Sequence, residues 1–264
     1  MLILDKTFCM EYAVVTVPAA PVRRKARHQY EMVSQLLFGE MVEVLKFKKG
    51  KWAKIRSLHD NYQGWITSNM LEQADEKQTA ATTEYITADI MNLVILNENK
   101  MSVPLASSLP GLTDGKGMIG NLVYQFSGNC INRQQQQPPA EKMVQLTNAW
   151  LNVPYMWGGR TMLGVDCSGF VQVNFKMIGI DLPRDAWQQA QEGKSVKKLK
   201  EAEAGDLAFF DDKEEIVHVG ILLGPEKIIH ASGKVRIDTI DKKGIIHSEN
   251  GKRTHELKAI RRVW

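Results

Sequence analysis

The sequence predicts an α+β chain: two small β-barrels followed by a larger domain in which helices come first and an antiparallel sheet afterwards. Three observations lead there. The first half is a succession of short apolar runs broken by turn signals. The stretch NRQQQQPPAE then interrupts every pattern, and beyond it helical spacing gives way to strands. At 264 residues and 44% apolar content the chain can build two or three separate cores.

Between Met10 and Leu71 the runs VVTV, MVEVLKF, WAKIRSL and YQGWITSNM are separated by FGE, KKGK and HDN. That is the rhythm of a small antiparallel barrel, assigned to residues 1–74. QADEKQTAATTE carries no large apolar residue and reads as a connection. A second short-strand unit over 75–137 follows from MNLVIL, KMSVPLASSLP and KGMIGNLVYQFSG, with LPGLTDGKG dense in turn formers. Pro138–Pro139 forbid a helix before the third unit, 138–264. There EKMVQLTNAWLN has apolar residues at 143, 144, 146, 150 and 151, which predicts a helix ending at Pro154. A second helix is expected to start near Asp166, run through CSGFVQVNFKMIG and close at Gly179. DLAFF, IVHVGILLG, KIIHAS, VRIDTI and HELKAIRRVW read as strands.

Composition removes several function classes. A formal charge of +4 with scattered Lys and Arg makes no basic field for nucleic acid; only Arg23, Arg24 with KARHQY and the terminal RRVW are locally basic. No stretch reaches the roughly 18 apolar residues that span a bilayer. MLILDKTFCMEYAVV lacks a cationic segment ahead of an apolar run, so the expected location is cytoplasmic, or periplasmic if an export segment preceded it. Cys9, Cys130 and Cys167 cannot all pair, and at least one thiol is free. Without Cys-x-x-Cys or paired His/Cys spacing, no metal or other cofactor is expected.

Cys167, in VDCSGF, falls in the first turn of the second predicted helix, where free backbone N–H groups and the dipole favour a thiolate. A cysteine attacks an amide as thiolate and needs a base nearby. His218 in IVHVGILL offers one, on the strand face opposite Val217 and Val219. His230 in KIIHAS, twelve residues on, is at the separation of a neighbouring antiparallel strand and can orient the imidazole. A lone helix cysteine is more often a small core residue, and a lone strand histidine more often structural. The combination of Cys-Ser-Gly at a helix start, a Tyr-x-Trp-Gly-Gly loop ahead of it and two strand histidines after it favours chemistry.

PYMWGGRTMLGVDCSGFVQ, LPRDAWQQ, AGDLAFF, HVGILLG and IIHASG resemble, in order, the motifs of NlpC-family papain-like peptidases of bacterial cell-wall metabolism. The resemblance implies Cys167 as nucleophile, His218 as base, His230 as orienting third member and Tyr155 as oxyanion donor beside the Cys167 N–H. It places Asp166, Ser168, Trp157 and Arg184 on the substrate side. Asp166 also reads as a helix N-cap, and Arg184 as either a substrate-carboxylate contact or a structural ion pair. EMVSQLLFGEMVEVLKFKKGKWAKIRSLHDNYQGWI resembles a bacterial SH3-like domain, and SVPLASSLPGL the start of a divergent second one. That arrangement resembles γ-D-glutamyl-L-diamino-acid endopeptidases, in which Glu31 and Tyr62 would match pocket residues of the first module. The expected partner is a murein-derived peptide, L-Ala-γ-D-Glu-diamino acid. Two rivals stand beside it: an amidase or acyltransferase on the same scaffold, and a non-catalytic wall-binding protein.

Overall fold

The computed structural model describes residues 11–75, 78, 84–135, 140–212 and 215–264. Cys9, most of the predicted connection and residues 136–139 of the glutamine-proline stretch, the 137/138 boundary included, lie outside them. The chain divides into two compact units, 1–134 and 135–264. Among the described residues no helix is long and apolar enough to cross a membrane.

In the first unit, strands β1 (Tyr12–Val15), β2 (Ala19–Arg23), β3 (Met32–Leu37), β4 (Met41–Lys48), β5 (Trp52–Ser57), β6 (Gln63–Thr67) and β7 (Leu71–Ala74) form one sheet. Its order is β3-β2-β6-β5-β4-β1-β7. The predicted alternation is met in β4, β5 and β6; β2, with Pro21 and two alanines, and β7, whose last two residues fall in the supposed connection, lack a strand signature yet pair by register. The apolar sides, among them Ala13, Val15, Val22, Leu36, Val42, Ile55 and Ile66, make one core.

The rest of the unit comprises β8 (Tyr85–Thr87), β9 (Met91–Leu96), β10 (Asn99–Pro104), β11 (Lys116–Ile119), β12 (Leu122–Phe126) and β13 (Cys130–Asn132). Four form a sheet in the order β10-β9-β12-β11, and β13 pairs with β8. Their core, with Val94, Val103, Ile119, Tyr124 and Phe126, is completed by Val14, Phe38 and Ala74 of the preceding module. The two modules therefore share a core. Phe38 meets Tyr124 edge-on at 6.1 Å, and the Ser108 N–H donates to the Phe38 carbonyl at 2.8 Å.

The second unit opens with a helix, Ala140–Asn148, shorter than the sequence predicts. Turns follow, with Asn152 at φ +69°, and Trp150 is buried against Phe170. A hairpin, β14 (Arg160–Thr161) with β15 (Gly164–Val165), leads into the helix Cys167–Met177, here termed the Cys167 helix. A short helix, Ala186–Gln189, comes next. The remaining strands are β16 (Lys194–Ser195), β17 (Leu207–Asp212), β18 (Glu215–Leu222), β19 (Lys227–Ser232), β20 (Lys234–Asp241), β21 (Gly244–Ile246) and β22 (Arg253–Arg262).

These strands pair antiparallel in the order β16-β22-β17-β18-β19-β20-β21, and β21 also pairs with β22. The sheet expected from the sequence is thus closed into a six-stranded ring. Closure depends on β22, which pairs with β17 along one edge and with β21 and then β16 along the other. Ala208, Phe210, Leu222, Ile228, Ile240, Ile245 and Ile260 share a core. The Cys167 helix packs on β18 and β19.

Phe38→Ala should cost the first unit about 3–5 kcal/mol, the usual range for a fully buried phenylalanine. Urea denaturation of the whole chain reads it. A loss under about 1 kcal/mol would show that the second module's core does not depend on the first.

Candidate active site

The Cys167 helix begins where its sequence requires, because Asp166 caps it. The Asp166 backbone is extended and its carboxylate accepts from the Gly169 N–H at 2.7 Å. The other carboxylate oxygen accepts from the Gly158 N–H at 2.8 Å, which fastens the Tyr-x-Trp-Gly-Gly loop to the helix start. Arg184 completes the arrangement: Nη1 donates to Oδ1 at 3.0 Å and Nη2 to Oδ2 at 2.6 Å. Arg184 Nη1 also donates to Ser168 Oγ at 2.8 Å. Gly169 is a packing requirement, since a Cβ there would lie 2.3 Å from the Gly159 carbonyl oxygen.

Of the two readings of Arg184, the ion pair is the one formed. The guanidinium is 1% exposed and doubly bonded to Asp166, so a substrate carboxylate cannot reach it as a free partner. Asp166 is likewise buried and neutralised. Trp157 is 59% exposed on the loop that Asp166 holds. Glu31 and Tyr62 belong to the first unit: Glu31 pairs with Arg24 at 2.9 Å at the surface, and the Tyr62 N–H donates to Asp60 at 3.0 Å.

Cys167 occupies the first turn of its helix but is only 7% exposed. Backbone N–H groups of Val219 and Ser168 hold its sulfur, and Val219 is the neighbour of His218 on β18. The expectation of a lowered thiol pKa is not met. Burial, then the Asp166 charge, push it up to about 12, outweighing the two N–H groups and Arg184. Burial also raises the Tyr155 phenol, and the Cys167 and Asp166 charges add to that, so Tyr155 remains a proton donor. Its interaction with both groups puts it beside Cys167.

His218 and His230 are brought together across β18 and β19: His218 Nε2 and His230 Nδ1 are 2.8 Å apart, and both residues are buried. Gly220 makes this possible, because a Cβ there would lie 2.8 Å from the His230 Cβ. Two neighbours escaped the sequence reading. Asp238, on β20, is 3.0 Å from His230 Nε2; His255, on β22, stacks on the His218 ring at 4.3 Å and 23°. Asp238 shares strand parity with the buried Ile240, so an inward carboxylate in VRIDTI was a readable signal. His255 reaches His218 only through ring closure, which no local pattern announces.

Burial lowers all three imidazoles. For His218 the charges of His230, His255 and Arg236 add to it. His255 falls to about 4, and at His230 burial outweighs the Asp238 hydrogen bond. Thiol and imidazole are both neutral at rest. A Cys167 thiolate would therefore have to form by proton transfer to a base such as the buried His218.

The NlpC/P60 family model matches residues 152–253, and that of the bacterial dipeptidyl-peptidase Sh3 domain residues 22–71. The chain is 31% identical over 214 residues to the gamma-D-glutamyl-L-lysine dipeptidyl-peptidase of Bacillus subtilis, covering 75% of this chain and 71% of the relative. It is 25% identical over 254 residues to a protein of the same name from Bacillus cereus, covering 85% and 75%. A shorter match, 43% over 84 residues, joins 31% of the chain to 44% of the murein DD-endopeptidase MepS/murein LD-carboxypeptidase of Escherichia coli. The crystal structure of an NlpC/P60 family protein from Bacillus cereus shares the fold: TM-score 0.79 over 96% of this chain and 99% of that one, at 22% identity.

Asp166→Ala strands a buried guanidinium and should destabilise the second unit by about 3–5 kcal/mol in chemical denaturation. An effect below about 1 kcal/mol would mean that Arg184 finds water instead. A second test concerns pH. The unfolded chain binds protons at these imidazoles from about pH 6.5 downward, whereas the folded site resists. Their contribution is full above about pH 6.5 and is lost as pH falls toward the folded values, about 4 for His255. Thermal unfolding should therefore give a lower Tm at pH 5 than at pH 7; a Tm that rises over that interval would contradict the burial.

Proposed function

Because the chain belongs to the NlpC/P60 family of cysteine peptidases, we propose that it hydrolyses the γ-D-glutamyl to diamino-acid bond of cell-wall peptides bearing a free N-terminal L-Ala. The observation that carries this reading is the pairing of the peptidase domain with a dipeptidyl-peptidase Sh3 domain. The likeness to the gamma-D-glutamyl-L-lysine dipeptidyl-peptidases, which runs through both parts, supports it.

The chemistry follows from the groups described. His218 takes the Cys167 proton through Nδ1, the ring nitrogen not engaged with His230. The thiolate attacks the γ-carbonyl carbon of D-Glu, and the oxygen that becomes negative is met by the Tyr155 hydroxyl and the Cys167 N–H. Collapse expels the diamino acid's α-amine, which receives the proton from His218. Water, deprotonated by the same imidazole, then cleaves the thioester, releasing L-Ala-D-Glu and restoring the thiol. Free-amine preference rests on the resemblance at Asp166 and Ser168. Since Arg184 already balances Asp166, these residues act by shaping the end of the cleft more than by presenting a free charge.

The deciding experiment compares L-Ala-γ-D-Glu-L-Lys, its diaminopimelate counterpart and their N-acetylated forms, with products identified by mass spectrometry. Cleavage after D-Glu is expected, with kcat/KM at least about 100-fold lower after acetylation, equivalent to about 2.7 kcal/mol. Cys167→Ala should fold and show no turnover. Equal rates on the acetylated peptide would overturn the free-amine preference, and efficient digestion of purified sacculi would recast the protein as a wall hydrolase.

A further inference from the structure

Beyond the nucleophile and its base, the second unit buries a chain of polar groups that this reading does not require. Asp238 is 1% exposed, and both of its oxygens are engaged. Oδ1 accepts from the Ser248 N–H at 3.0 Å and from Ser248 Oγ at 2.9 Å. Oδ2 accepts from Arg236 Nε at 2.9 Å and lies 3.0 Å from His230 Nε2. Arg236 is itself fixed, donating from Nη1 to the Ser232 carbonyl. A carboxylate clamped by three donors offers its fourth position to His230 alone.

We infer that Asp238 is a positioning residue that sets which nitrogen carries the proton on both histidines, and thereby makes His218 a base. The steps are forced by donor and acceptor count. A carboxylate is acceptor only, so His230 must present Nε2–H to it. A neutral His230 then has a bare Nδ1, which requires Nε2–H on His218 across the 2.8 Å contact. His218, neutral in turn, is left with an unprotonated Nδ1, the atom that accepts the thiol proton. The opposite order, with Nδ1–H on His230, would set a lone pair against the carboxylate and leave the proton of His218 on the wrong nitrogen.

An unopposed carboxylate would also tend to draw a second proton onto His230, which would make both of its nitrogens donors and reverse His218. Arg236 counters this, because its positive charge shares Oδ2 with His230. Burial acts in the same direction at His230 and outweighs the pull of Asp238. The Asp238 carboxyl meanwhile is raised by burial but held well below the usual range by the His230 and Ser248 hydrogen bonds. The other rings facing the pair are Phe210 at 5.8 Å and His255 at 4.3 Å from His218, and His255 at 5.9 Å from His230. His255 is bonded through Nδ1 to Thr254 at 2.9 Å and supplies no competing charge while neutral.

The inference rests on the peptidase reading for its kinetic consequence but not for its spectroscopic one. In the whole chain, nitrogen-15 correlation spectra of the histidines should show Nε2–H tautomers at both His230 and His218. Asp238→Asn keeps the shape; with its oxygen retained by Ser248, its NH2 takes the place of Oδ2, gives up the bond from Arg236 Nε and faces His230 Nε2, which should turn His230 to Nδ1–H. That reversal should lower kcat with little change in KM, by roughly 10²–10⁴-fold, the upper figure being the loss for the equivalent Asp→Asn change in a serine triad. It should also slow iodoacetamide alkylation of Cys167, which needs no substrate. An Nδ1–H tautomer on wild-type His230 would overturn the assignment even if no variant folds. A folded Asp238→Asn protein with unchanged tautomers, or with alkylation within threefold of wild type, would reduce Asp238 to a structural role. If tautomers and alkylation respond while no tripeptide is cleaved, the substrate reading fails and this one stands.

Discussion

The buried contact between Asp166 and Arg184 holds the site together. One carboxylate caps the Cys167 helix, pins the loop carrying Tyr155 and Trp157, and anchors the guanidinium that reaches Ser168. The arrangement is costly to desolvate and is stable only because nearly every lone pair is used. Cys167 follows Asp166 directly, so the position of the sulfur is fixed by the same group that starts its helix. A carboxylate this close also carries an electrostatic penalty, since its charge opposes ionisation of the thiol.

That opposition explains why the site works as a neutral pair. Helix-start position alone argues for a thiolate, but that argument assumes water or a cationic neighbour, and here the sulfur is buried beside an acid. Imidazoles stacked on one another in a dry environment cannot readily become cations either. In the proposed mechanism, proton transfer with a carbonyl in place to receive the sulfur is then the step at which charge first appears, and the inferred part of the histidine column and its acidic terminus is to set its direction more than its strength.

Much of this was legible in the chain. Alternation located β17, β18, β19, β20 and β22, and the helix expected to start near Asp166 begins at Cys167 with Asp166 as its cap. Cross-strand spacing linked His218 to His230. Features that depend on partners far apart in sequence were not readable. The choice between the two readings of Arg184 was decided by Asp166, eighteen residues away in sequence. The first helix stops early because Trp150 turns inward, which periodicity counts as helical. Ring closure brings β22 against both β17 and β21, and the weak strands β2 and β7 form because a sheet offers them an edge.

Ring closure has a consequence for synthesis on the ribosome. β22 is made after every other strand of the ring, and until Arg253–Arg262 has emerged, the nascent domain already carries Cys167, His218 and His230 but lacks His255 and leaves β17 and β21 with open edges. Open edges are templates for pairing with other chains, and strand pairs this distant in sequence form slowly. The interval between translation of β21 and docking of β22 is therefore when the domain is most exposed to aggregation. It is also an interval in which the base lacks its stacked neighbour.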